Sequence, residues 1–102
     1  MSKAPIPITE TGPLTKKIAA KMRGELASKK IDALELAKAV GVSKSTMSRI
    51  LSGNRQIELD LLDKMCWALG LDLRTVVRDA DEAAEARILD QEWTATVLDP
   101  ND

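Results

Sequence analysis

Between Lys44 and Ser52 the chain sets cations and hydroxyls at helical spacing. Lys44, Ser45, Ser48 and Arg49 stand one, three, four or five positions apart, so a helix places them on one side. Met47, Ile50 and Leu51 fill the other side. A guanidinium such as that of Arg49 is a planar fork of N–H donors, matched to two acceptors on one edge, as in the O6/N7 pair of guanine. Lys44 offers a compact charge for such an edge or for a phosphate. Ser45 and Ser48 are short: they can donate to a base or a phosphate but discriminate weakly, and simple solubility explains them as well.

Other chemistries find little support. The 102 residues include no His, which removes the commonest general base. Cys66 is the sole cysteine, so neither an internal disulfide nor a zinc site is expected. It lies in an apolar helical run, where a small buried hydrophobe is its expected role. The stretch Gly41-Val-Ser-Lys-Ser-Thr46 lacks the G-x-x-x-x-G-K-[ST] spacing that cradles phosphates. No enzymatic activity, cofactor or metal is expected. No apolar stretch nears the roughly 18 residues that span a membrane, and Met1–Thr11 lacks a signal peptide's apolar core. A cytoplasmic protein is the default.

The net charge of −1 conceals a division. Up to Arg55 there are 11 Lys/Arg against 4 Asp/Glu, a balance of +7; from Gln56 onward there are 4 against 12, a balance of −8. A basic half suits a polyanion, with the acidic end turned elsewhere. Charges that merely solvate two helical surfaces would give the same count.

The elements that must position these residues are helical. Hydrophobic residues make up 44% of the chain, with no Phe or Tyr and only Trp67 and Trp93, so the core rests on Leu, Ile, Val, Met and Ala, which suits an all-α bundle of about five helices. Residues 1–13 hold Pro5, Pro7 and Pro13 and read as an extended arm. A helix over 14–30 follows, with Leu14, Ile18, Met22 and Leu26 as its stripe and Lys16, Lys17, Lys21, Arg23 and Lys30 largely away from it. Asp32 caps a short helix over 33–40 that Gly41 ends, with Leu36, Ala37 and Val40 inward; Ser43 caps the next, over 44–51. Gly53-Asn54 marks a turn. A helix over 59–69 presents Leu61, Leu62, Met65, Cys66 and Leu69, and Gly70 stops it. Asp72 caps a fifth that includes Leu73, Val76 and Val77, and Ala80–Gln91 continues as helix. The alternation in Trp93–Leu98 predicts a short strand or extended tail. The organisation expected is an arm (1–13), a helical domain (14–78) and an acidic segment (79–102).

The block Ala33 to Ser52 has the features two steeply crossing helices need: small Ala37 at the close approach, Gly41 at the turn, Val42 as a plug, and Leu36, Val40, Met47 and Ile50 pinning one helix to the other. Here the sequence resembles the phage repressor and Cro-like helix-turn-helix family, and I-E-L-D-L-L-D-K-M-C-W-A-L-G-L-D-L is similar to that family's fourth helix and the start of its fifth. The resemblance covers roughly 14–77. It implies a transcriptional regulator of phage or bacterial type, a repressor above all, whose helix over 44–51 enters the major groove of double-stranded DNA. Lys44, Ser45, Ser48 and Arg49 would then meet base edges, with Arg49 foremost. Ser43, at the positive end of that helix, and Asn54, Arg55 and Gln56 in the following loop would grip phosphates. One position departs: family members often carry Gln where this chain has Ala33, so a backbone N–H, Lys38 or the 54–56 loop must supply that phosphate contact. Some such repressors add a self-cleaving Ser/Lys protease domain, which the residues after Val77 are too few to form.

An acidic 79–102 segment would be repelled by DNA, so it should face away. A homodimer on a palindromic operator is the first expectation, since a single helix-turn-helix buries little surface. Val76, Val77, Ile88, Trp93, Val97 and Leu98 are the interface candidates, although some could instead complete the monomer's core. The alternative is an antitoxin that binds a toxin protein through this segment and regulates its own operon.

Overall fold

The computed structural model of the chain describes residues 11–89, with side chains through Ala84. The expected strand at 93–98 and residues 1–10 of the expected arm lie outside the described residues. Five helices follow one another: α1 (Pro13–Lys29), α2 (Ala33–Val40), α3 (Lys44–Leu51), α4 (Leu59–Leu69) and α5 (Leu73–Leu89). The fold is an all-α bundle containing a helix-turn-helix.

Local signals set most boundaries. Pro13 opens α1, where its missing N–H costs nothing. The Asp32 carboxylate accepts from Glu35 N at 2.8 Å and caps α2. Gly41 closes α2 with φ +82°, and both Gly41 N and Val42 N donate to the Ala37 carbonyl, at 2.9 and 3.0 Å. A side chain at Gly41 would be strained in this left-handed conformation, so the glycine fixes the turn between α2 and α3. At α5, Asp72 accepts from Arg74 N at 3.2 Å and from the Thr75 hydroxyl at 3.0 Å. Those two bonds hold its carboxyl below the usual carboxylate range.

The core is assembled from one face of each helix. Met22, Leu36, Met47, Ile50, Met65, Cys66 and Val76 are fully buried, and Ile18, Leu26, Leu62, Leu69 and Ala80 join them. Each large aliphatic removed from water contributes about 1.5–3 kcal/mol before entropy is counted. α1 packs along α5, α2 packs on both α3 and α4, and α1 also touches α3. Burial pushes the Cys66 thiol up, aided by the nearby Asp63 and Asp72 charges, so it stays a protonated core group. Among the described residues no helix is long and apolar enough to cross a membrane.

Two core expectations change. Leu14 is exposed in the first turn of α1 among the described residues, and Ala19 is buried in the stripe instead. The acidic stretch after Arg78 is not separate from the core. Position 79 lies inside the unbroken α5, and Ala80 and Ala84 are buried.

Candidate nucleic-acid interface

α3 has only eight residues, too few to be stable alone, so its placement depends on its ends and its apolar face. At its start, the Ser43 Oγ accepts from Thr46 N at 3.1 Å and donates to Thr46 Oγ1 at 2.9 Å. The Ser43 hydroxyl is thus engaged in the cap. The helix-start N–H groups of Lys44 and Ser45, which have no intrahelical acceptor, are the donors aimed outward there.

At its end the last four carbonyls all find donors. Ser48 O accepts from Ser52 N at 3.0 Å, and Arg49 O accepts from Asn54 N at 3.1 Å and from the Ser52 hydroxyl at 2.9 Å. Ile50 O accepts from Gly53 N at 3.0 Å, and Leu51 O accepts from the Arg23 guanidinium of α1. A cation at this end also suits the helix dipole. Met47 and Ile50 at 0% exposure complete the anchoring.

On this fixed helix Lys44, Ser45, Ser48 and Arg49 are all exposed and share the outer face. The structure brings together the four residues expected to meet base edges. Asn54, Arg55 and Gln56 are exposed in the loop that follows, and Lys38 is exposed on α2. Arg55 and Gln56 line, with Val42 and Thr46, a cavity of about 330 Å³, so the loop and the first half of α3 border the same opening. Ala33, the departure noted above, is half-buried at the start of α2. No three Cys, Asp or Glu side chains among the described residues come together as a metal site.

The expected partner face is placed only in part. Val76 is 1% exposed and belongs to the monomer's own core, because it points from α5 into the buried cluster; it is withdrawn from the interface set. Val77 is half-buried against the same cluster. Ile88 lies in α5 with its side chain outside the described set, and Trp93, Val97 and Leu98 are outside it altogether.

Sequence reasoning missed three features of this region. Arg23 was grouped with the solvated cations of α1, yet it holds the end of α3. The Thr11 hydroxyl donates to Gly53 O at 2.6 Å, tying the start of α1 to the loop. Neither tie has a sequence signal, since each joins residues 28 or 42 positions apart. Trp67, by contrast, was readable: it falls opposite Leu62, Met65, Cys66 and Leu69 on the α4 wheel and is 87% exposed.

The sequence profile of the Cro/C1-type HTH DNA-binding domain matches residues 21–81. Among solved structures, the chain is similar to two of the clp gene regulator ClgR from Corynebacterium glutamicum. One is 30% identical, covering 69% of this chain and 91% of that one with a TM-score of 0.63; the other is 28% identical, covering 90% and 99% with a TM-score of 0.65. A hypothetical transcription factor NHTF from Neisseria is 25% identical over 74% of this chain and 86% of its own, with a TM-score of 0.60. Among curated protein sequences none matches the chain.

Proposed function

Since the chain belongs to the Cro/C1-type HTH DNA-binding domain family, we propose that it is a sequence-specific transcriptional regulator that reads double-stranded DNA with α3. The observation that carries this reading is the exposed row Lys44, Ser45, Ser48 and Arg49 on a helix secured at both ends. Seated in the major groove, Arg49 donates its two parallel N–H groups to a guanine edge, and Lys44 reaches a neighbouring base or phosphate. Ser45 and Ser48 add short donors. Asn54, Arg55 and Gln56, together with Lys38 and the helix-start N–H groups, hold phosphates on either side and set the register. The resemblance to the clp gene regulator, named for controlling genes, supports the regulatory side of the reading.

The protein acts in the cytoplasm as a homodimer on a palindromic operator. Eight residues of one helix contact too few base pairs for specific binding, and two copies double the site. The second copy docks through Val77 on α5 and through the C-terminal end of α5 and the segment after it, where Ile88, Trp93, Val97 and Leu98 supply apolar residues. Bound over a promoter, such a dimer represses by occlusion. The reading contains no catalytic step.

Selecting bound duplexes from a random DNA pool tests this directly. A two-fold symmetric site with guanine at a fixed position in each half is the expected product. Recovery of no common sequence would overturn the reading.

A further inference from the structure

We propose that Lys16, at the start of α1, is a DNA-phosphate contact, on a ridge that the first turns of α1 form with the loop after α3. The proposal rests on the DNA-binding reading above. Gly53 is buried against α1: a Cβ placed on it would lie 3.6 Å from Lys16 Cγ, 3.7 Å from Lys16 Cα and 3.8 Å from Ala19 Cβ. The stem of Lys16 therefore runs beside the loop that carries Asn54 and Arg55, and the side chain is exposed there. Thr11 Oγ1 on Gly53 O, at 2.6 Å, and Arg23 on Leu51 O hold the two segments together on either side of this contact. Lys16, Ala19 and Arg23 follow one another at three and four positions, one stripe of α1, so the same face seats the end of α3 and the loop.

The other cations of α1 separate by their partners. Lys21 and Lys29 each lie 3.7 Å from Glu25, and Arg23 is bound to Leu51 O. Among the described residues Lys16 makes no ion pair, and neither does Arg55 on the adjoining loop. Two exposed cations on adjoining segments, neither neutralised by an ion pair, attract an external anion. A phosphate backbone supplies that anion, along the line already set by Arg55. Lys17 is the internal control: it is a neighbouring lysine with the same charge and, among the described residues, no ion pair, but it projects about 100° around the helix from Lys16.

The test measures binding to the duplex that the wild-type chain enriches from a random pool, as a function of salt. Each phosphate contact releases counterions and contributes about 0.9 to the slope of log affinity against log salt. Lys16→Gln is expected to lower the slope by about 0.9 and weaken binding about eightfold at 0.1 M salt, on specific and mixed-sequence duplexes alike. Lys16→Arg should restore both, and Lys17→Gln should leave the slope unchanged. Equal melting temperatures of the variants would show that the fold is intact. If Lys16→Gln keeps the wild-type slope, or Lys17→Gln lowers it equally, the proposal fails while the DNA reading stands. If the wild-type chain binds no duplex in a salt-dependent way, both fall.

Discussion

Arg49 and Arg55 are exposed cations six residues apart, yet their settings give them different work. Arg49 sits on the outer face of a helix that is capped at its start and whose last four carbonyls are all engaged, so the backbone that carries its guanidinium is held in place. Arg55 sits in the loop at the edge of that helix, where the proposed binding mode gives it a backbone phosphate. Replacing Arg49 by Ala should cost about 1–3 kcal/mol of binding and relax preference at one base position, as read by affinities for single-base operator variants. Arg55→Ala should weaken all duplexes alike and reduce the salt slope. Cys66 gives a second test at this scale. It is 2% exposed with its thiol pushed up by burial, so a thiol reagent should label it only as fast as the chain opens. Rapid labelling under native conditions would contradict the packing of α4.

Among the elements, α3 depends most on its neighbours. Ser43→Ala removes the bond to Thr46 N and should cost about 1 kcal/mol in denaturant unfolding. Arg23→Ala removes the donor at the other end and should cost a similar amount. The start of α5 brings a pH dependence. Asp72 has its carboxyl lowered first by the Thr75 hydroxyl and then by Arg74 N–H. A lowered carboxyl stabilises the fold above its unfolded pKa near 3.9, and that contribution fades as pH falls through the lower folded value. Asp72→Asn should therefore flatten the loss of stability in acid, and an unchanged acid limb would show the cap to be unimportant. These short elements were legible because each carries its own punctuation: Asp32 and Gly41 bracket α2, Ser43 opens α3, and Gly70 closes α4. The end of α1 was harder, because Lys30 rather than a glycine takes the left-handed cap at φ 56°. Leu14 misled because a four-residue repeat says which face a residue is on, not whether another helix covers it. The ties of Arg23 and Thr11 to the α3 end were not legible at all, since they arise only once the chain has folded back on itself.

At the scale of the whole molecule, α5 belongs to the acidic half of the chain yet packs along α1 of the basic half. Its first part belongs to the domain core through Val76, Ala80 and Ala84, while its acidic end leads toward the segment proposed to pair two copies. Cutting after Arg78 would remove the buried Ala80 and Ala84 and disturb the fold itself, so the informative truncation lies after Leu89. That shortened chain should keep its helical content and sediment as a monomer; an unchanged dimer mass would place the interface elsewhere. The basic half, whose cations line α1, α3 and the loop after α3, accounts for DNA binding by a chain of net charge −1. The central claim is that the outer face of α3 reads bases. It is tested most directly by selecting sites from a random pool with the wild-type chain and with Arg49→Ala in parallel. The account predicts one symmetric site for the wild type and, for the variant, the same site with preference lost at a single position in each half. Identical site preferences for the two proteins would contradict it.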